Sequence, residues 1–175
     1  MITLSDITIR KLQEKEIDEL VRVFTPPWST PEATRKQWVQ YFLEQEKGAR
    51  VACVLERGKE FLGYGSLLLD PENLKFKENK IPEINSLWIG EKWRHQGLAR
   101  KLIAYLEDLA RKLGYKTVGI AVGLYADYGP AQKLYANLGY MPDGNGATYK
   151  GSLVIPGESY PMDDDLLYWS IKALN

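Results

Sequence analysis

The chain has 175 residues, 45% apolar and 26% charged, which is the make-up of a soluble globule rather than a disordered segment. That length suits one domain over residues 1–175, with a core large enough to need no disulfide or metal staple. Lysine plus arginine number 23 and aspartate plus glutamate 23, so the basic excess that grips nucleic acid or an anionic membrane is missing and neither partner is expected.

Residues 8–12 read as a short strand, with Ile7 and Ile9 on one face. Ile17, Leu20, Val21 and Phe24 recur at helical spacing, and Pro26-Pro27 ends that helix. Thr30 followed by Pro31 predicts an N-cap and a first helical turn, opening a second helix to about Glu46 with Trp38, Tyr41 and Phe42 on its buried stripe. Two β-rich runs, 50–57 and 61–69, flank Gly58-Lys59 and predict a hairpin. Gly63-Tyr64-Gly65 in the second run is not a dinucleotide fingerprint, because Leu68 stands where the third glycine belongs and no helix follows.

A polar loop over 70–80 is expected next, then a strand over 83–89. Leu98, Leu102, Ile103, Leu106, Leu109, Ala110 and Leu113 keep the 3.6-residue period of the clearest helix, which Gly114 closes. Residues 117–122 read as a strand, 131–138 as a short helix before Gly139, and 167–172 as a last strand. This order predicts an α/β (α+β) fold with a mixed sheet covered by helices.

Cys53 sits in an apolar run and reads as a buried strand thiol, while a lone cysteine and a lone histidine, His95, make no disulfide and no metal site. The first residues carry Asp6, Arg10 and Lys11 and lack the apolar core of a signal peptide, and no run approaches the roughly 18 apolar residues of a membrane span. A reducing, cytoplasmic setting is the expectation.

The chemistry concentrates between residues 90 and 100, where a strand passes through Gly90-Glu91-Lys92-Trp93-Arg94-His95-Gln96-Gly97 into the helix that begins Leu98-Ala99-Arg100. A helix N-terminus offers unpaired N–H groups and about half a positive charge. Gly97 and the small Ala99 let a ligand approach, and Lys92, Arg94, Arg100 and Lys101 add positive potential. The arrangement suits a phosphate, although it is not the nucleotide P-loop.

Arg94-x-x-Gly97-x-Ala99 resembles the Arg/Gln-x-x-Gly-x-Gly/Ala signature of the GNAT superfamily of N-acetyltransferases, and Ala131-Gln132-Lys133-Leu134-Tyr135 followed by Gly139-Tyr140 resembles a second block of that family. The resemblance implies a GNAT-like fold with a mostly antiparallel sheet of 6–7 strands and about four helices, and acetyl-CoA as co-substrate without a metal. It places the pyrophosphate on the N–H groups of His95, Gln96, Gly97, Leu98, Ala99 and Arg100, beside Arg94, and the pantetheine arm along Leu87, Trp88 and Ile89. Glu83 stands eleven residues before Arg94, the spacing of the glutamate base in the histone-acetylating branch, with Asn85 on the same strand face. A lysine-like amine with pKa about 10.4 needs about 4–5 kcal/mol to lose its proton at pH 7, so a base or a water chain is required, and burial would suit Glu83 to that task. Tyr135 matches the family tyrosine that donates to the departing CoA thiolate or stabilises it. The position seven residues before it, usually Asn in contact with the CoA arm, is here Tyr128, a departure from the family pattern whose phenol is expected to hydrogen-bond the arm or stack on it instead.

The family's acceptor regions hold Trp28, behind the rigid Pro26-Pro27 corner, and a long tail with Tyr149, Glu158, Tyr160, Asp163 and Asp164. Aromatic rings and carboxylates suit a cationic amine, with Trp28, Asn85, Asp163 and Asp164 as candidate contacts. The expected activity is transfer of an acetyl group to a primary amine of a small molecule or peptide in a ternary complex, with a homodimer as one option for assembly. A GNAT-fold module that binds acetyl-CoA without transferring it is the alternative.

Overall fold

The computed structural model describes residues 3–175. The chain folds as two compact units, Met1–Leu69 with Ser86–Leu106, and Asp70–Asn85 with Glu107–Asn175.

The first unit opens with strand β1 (Thr8–Lys11), helix α1 (Ile17–Phe24) and helix α2 (Pro31–Glu46). Thr30 caps α2 as its sequence predicts, accepting the Ala33 N–H at 3.1 Å on its hydroxyl, with Pro31 in the first turn. Strands β2 (Arg50–Arg57) and β3 (Glu60–Leu68) form the expected antiparallel hairpin, and β1 pairs antiparallel with β2. Leu12, Ile17, Leu20, Phe24, Trp38, Tyr41, Ala52, Val54 and Phe61 form one apolar core, with Tyr64 and Trp88 packed against it. Tyr64 meets Phe24 and Trp38 edge-on, at 5.1 and 4.7 Å between ring centres. Cys53 is 1% exposed in β2, and burial pushes its thiol up to about 12.

Gly63 is a packing glycine. A Cβ there would lie 2.5 Å from the Trp88 carbonyl oxygen, so only glycine lets β3 approach the end of the next strand. That strand, β4 (Glu83–Ile89), is divided between the units, with Ser86–Ile89 in the first. The Gly90 N–H donates to the Leu62 carbonyl at 2.9 Å just past its end. A later helix, α4 (Leu98–Lys112), is also divided, and Leu98, Leu102, Ile103 and Leu106 are fully buried, as their spacing requires.

In the second unit, the segment expected to be a loop holds a short helix, α3 (Leu74–Glu78). Asn73 caps it by accepting the Phe76 N–H at 3.1 Å, and the single buried apolar residue Phe76 is 1% exposed against Gly119 and edge-on to Trp169 at 5.2 Å. One buried ring among lysines gives no period, which is why the sequence reads as a loop.

Glu83 and Ile84 of β4 pair in parallel with Gly119 and Ile120 of β5 (Thr117–Gly123). Helix α5 (Gly129–Asn137) follows, then β6 (Met141–Tyr149), β7 (Ser152–Leu153) and β8 (Leu166–Ala173), and the strand order here is β4-β5-β8-β6-β7. Eight strands and five α-helices stand among the described residues where 6–7 strands and about four helices were expected. β6 carries Pro142, Gly144 and Gly146, and its pairing with β8 shifts between Pro142 and Ala147, so it shows no strand pattern in the sequence. Among the described residues no helix is long and apolar enough to cross a membrane.

Candidate active site

The first unit carries the basic turn. After one 3₁₀ turn over Glu91–Trp93, Arg94 is extended, His95 and Gly97 both adopt left-handed backbone, at φ +60° and +81°, and α4 begins at Leu98. Left-handed residues before a helix turn successive N–H groups toward one side, the geometry of an anion-binding nest. No acidic residue stands in the first turn of α4, where Arg100 follows.

The expected cations are not equivalent. Lys92 is tied to Glu60 at 2.9 Å, so part of its charge is already answered. That hydrogen bond is the main cause holding the Glu60 carboxyl below its ordinary value. Arg94 donates from Nε to the Ile89 carbonyl at 3.2 Å, and its guanidinium lies over the Trp88 ring at 5.0 Å. Trp28, 72% exposed, meets Trp88 edge-on at 5.8 Å. The structure thus joins Trp28, Trp88 and Arg94, three residues the sequence assigned to acceptor, pantetheine arm and pyrophosphate. Leu87 and Ile89 complete the strand end, Leu87 half-buried and Ile89 buried.

The second unit carries the proton-transfer candidates. Glu83 is 4% exposed, and Asn85 donates from Nδ2 to its Oε1 at 2.8 Å. Alternation along β4 puts both on one face, as predicted. Tyr135, on α5, is 9% exposed and lies 6.1 Å from the Tyr140 ring. Burial pushes its phenol up to about 12, so it stays protonated through the neutral range. Tyr140 in turn donates to the buried Glu107 at 3.0 Å, and Lys172 pairs with the same carboxylate at 2.8 Å.

Tyr128 lies against Gly123, where a Cβ would meet its ring, and donates to Asp164 at 2.9 Å. Tyr125 donates to the same carboxylate oxygen and sits edge-on to Tyr128 at 5.0 Å. Burial first, and then the Asp164 carboxylate, hold the Tyr128 phenol well above its ordinary value. Asp163 accepts from Tyr149 at 3.1 Å, and Glu158 accepts from Tyr160 at 3.1 Å. Glu158, Asp163 and Asp164 are therefore each matched with a phenol. Sequence reasoning grouped these residue types but missed the Asp164 bridge between Tyr125 and Tyr128, for which a separation of 36 residues gives no signal.

The family model described as the acetyltransferase (GNAT) family matches residues 15–140. The chain belongs to the GNAT family. Within 84 residues, 48% of this chain and 51% of the other, it is 28% identical to an uncharacterised N-acetyltransferase, YsnE of Bacillus subtilis (strain 168); the match thus spans about half of that relative's length. Among solved structures, a Salmonella typhimurium acetyltransferase that modifies the N-terminal serine of ribosomal protein L7/L12 superposes with TM-score 0.72 at 15% identity, over 98% of this chain and 96% of that one. Spermidine N-acetyltransferase from Vibrio cholerae, in complex with CoA and spermine, gives TM-score 0.67 at 16% identity, over 97% and 96%. At such identities the two structures show that this GNAT protein shares their fold.

Proposed function

We propose that this chain is an acetyl-CoA-dependent N-acetyltransferase acting on a primary amine of a small molecule or an exposed peptide. The observation that carries the reading is the nest at the head of α4, with His95 and Gly97 left-handed and no acid in the first helical turn. Its donors fit the co-substrate: backbone N–H groups over His95–Arg100 and the cationic side chains of Arg94 and Arg100 suit two linked phosphates. Bound there, acetyl-CoA supplies an activated acyl group. The peptide groups of Leu87–Ile89 are the ones proposed to pair with the amide-bearing arm, as the family resemblance implies.

Glu83 takes the proton from the acceptor ammonium, directly or through water, and Asn85 orients the carboxylate for it. Tyr135 offers its phenol hydrogen to the thiolate that departs when the amide forms. Trp28, Asp163 and Asp164 are the side chains proposed to meet a cationic acceptor, through the ring face and through charge. The relatives that act on spermidine or on a protein N-terminus are consistent with either kind of amine. The GNAT membership supports an intracellular source of acetyl-CoA, and a cytoplasmic setting is proposed on that ground.

Calorimetry with acetyl-CoA, followed by a CoA-release assay over polyamines, aminoglycosides, amino acids and peptide amines, tests the reading. Saturable binding and turnover with one amine class are expected. Binding without turnover over the whole panel would favour a module that only holds acetyl-CoA, and no heat at millimolar ligand would overturn both.

A further inference from the structure

The strand proposed to carry the pantetheine arm contains a residue in an unusual conformation. Ser86 has φ +53° in the middle of β4. Left-handed backbone interrupts the regular run of a strand and is ordinarily given to glycine, since a Cβ disfavours it. A non-glycine residue persists there only when its surroundings hold it.

Tyr41 supplies that hold. The Tyr41 and Ser86 hydroxyl oxygens lie 2.6 Å apart. Tyr41 projects from α2, is 8% exposed, and accepts a hydrogen bond from Gln37 Nε2 at 2.8 Å, which fixes its hydroxyl beside Ser86. Its ring is fixed as well: Trp38 meets it edge-on at 5.8 Å, and the Arg50 guanidinium lies over it at 4.3 Å. Arg50 is held by Glu44 at 2.6 Å. Beyond Ser86, the N–H of Gly90 donates to the Leu62 carbonyl at 2.9 Å. The peptide planes of Leu87–Ile89 are thus fixed between an α2 hook at one end and a β3 hydrogen bond at the other.

We propose that Tyr41 is a positioning residue for the acetyl-CoA strand, acting through Ser86 to hold the left-handed backbone that aims Leu87–Ile89. The ligand half of this inference rests on the acetyl-CoA reading above; the structural half does not. Nothing in the sequence signals it, because Tyr41 reads there as one more ring on a buried stripe.

Two measurements test it on the full chain, in wild type, Tyr41→Phe, Ser86→Gly and the double variant. Amide hydrogen exchange reports on Leu87–Ile89, and calorimetry reports the acetyl-CoA Kd. Tyr41→Phe keeps the ring and drops the hydroxyl, so faster exchange at Leu87–Ile89 and a Kd weaker by about three- to tenfold, the scale of one hydrogen bond, are expected. Glycine tolerates this left-handed backbone unaided, so Ser86→Gly added to Tyr41→Phe should return the Kd to within about twofold of wild type. Unchanged exchange and Kd in Tyr41→Phe overturn the proposal, and so does a double variant as weak as the single one. Wild-type protein that fails to bind acetyl-CoA overturns the acetyl-CoA reading instead, and exchange then decides the hook by itself.

Discussion

Replacing Tyr135 with phenylalanine is the sharpest test of the proposed chemistry, and the structure bounds the result. The ring is buried and packs on Tyr140 at 6.1 Å, so phenylalanine keeps the volume and the contact, and stability should stay within about 1 kcal/mol. Burial pushes the phenol up to about 12. A thiol of pKa about 8.5 then lies roughly 3.5 units below it, so full proton transfer to the thiolate would be uphill by about 5 kcal/mol. Tyr135 therefore acts as a strong hydrogen-bond donor to developing charge, and its loss should resemble loss of one oxyanion-hole donor, about 10²–10³ in kcat. Steady-state CoA release with the best amine of the panel measures this, beside acetyl-CoA Kd, which should hardly move. The same raised pKa keeps the phenol protonated, so wild type should show no alkaline fall from this group below about pH 11. A kcat within about threefold of wild type, or an alkaline limb near pH 10 that vanishes in the Phe variant, would refute the reasoning.

Three further outcomes are expected. Glu83→Gln should lower turnover at pH 7 by about 10²–10⁴ and leave acetyl-CoA affinity unchanged, as read by the same two assays. Gly63→Ala sets a Cβ 2.5 Å from the Trp88 carbonyl; thermal unfolding should show a loss of about 1–3 kcal/mol, with weaker acetyl-CoA binding because Trp88 and Ile89 must shift. Cys53, 1% exposed and pushed up to about 12, carries about one thiolate in 10⁴ at pH 8, so a thiol reagent should label it in denaturant and leave the native protein unlabelled over the same time.

Much of the fold is legible where period and punctuation agree. The α2 start follows from Thr30-Pro31, the hairpin from Gly58-Lys59, and α4 from its leucine spacing, because each rests on local physics. The basic turn is legible for the same reason. Glycine, cations and a following helix are adjacent in sequence. What escapes is long-range or irregular. Phe76 makes α3 by finding Gly119 and Trp169, partners 43 and 93 residues away. β6 is recognised only through its pairing with β8, since its prolyl and glycyl residues argue against a strand. At the site, the shared face of Glu83 and Asn85 follows from strand alternation, whereas the Asp164 bridge and the Tyr41–Ser86 hook depend on side chains brought together by tertiary packing.

The buried ring of Phe76 changes how the segment around it should be handled. By composition, residues 70–80 look like a convenient place to splice in a tag or a reporter. In the fold they are a stopper: the short stretch from Asn73 to Glu78 closes over the sheet with a single phenyl group between Gly119 and the Trp169 indole. An insertion there would draw the stopper and leave a void where close-packed aromatic contact had been.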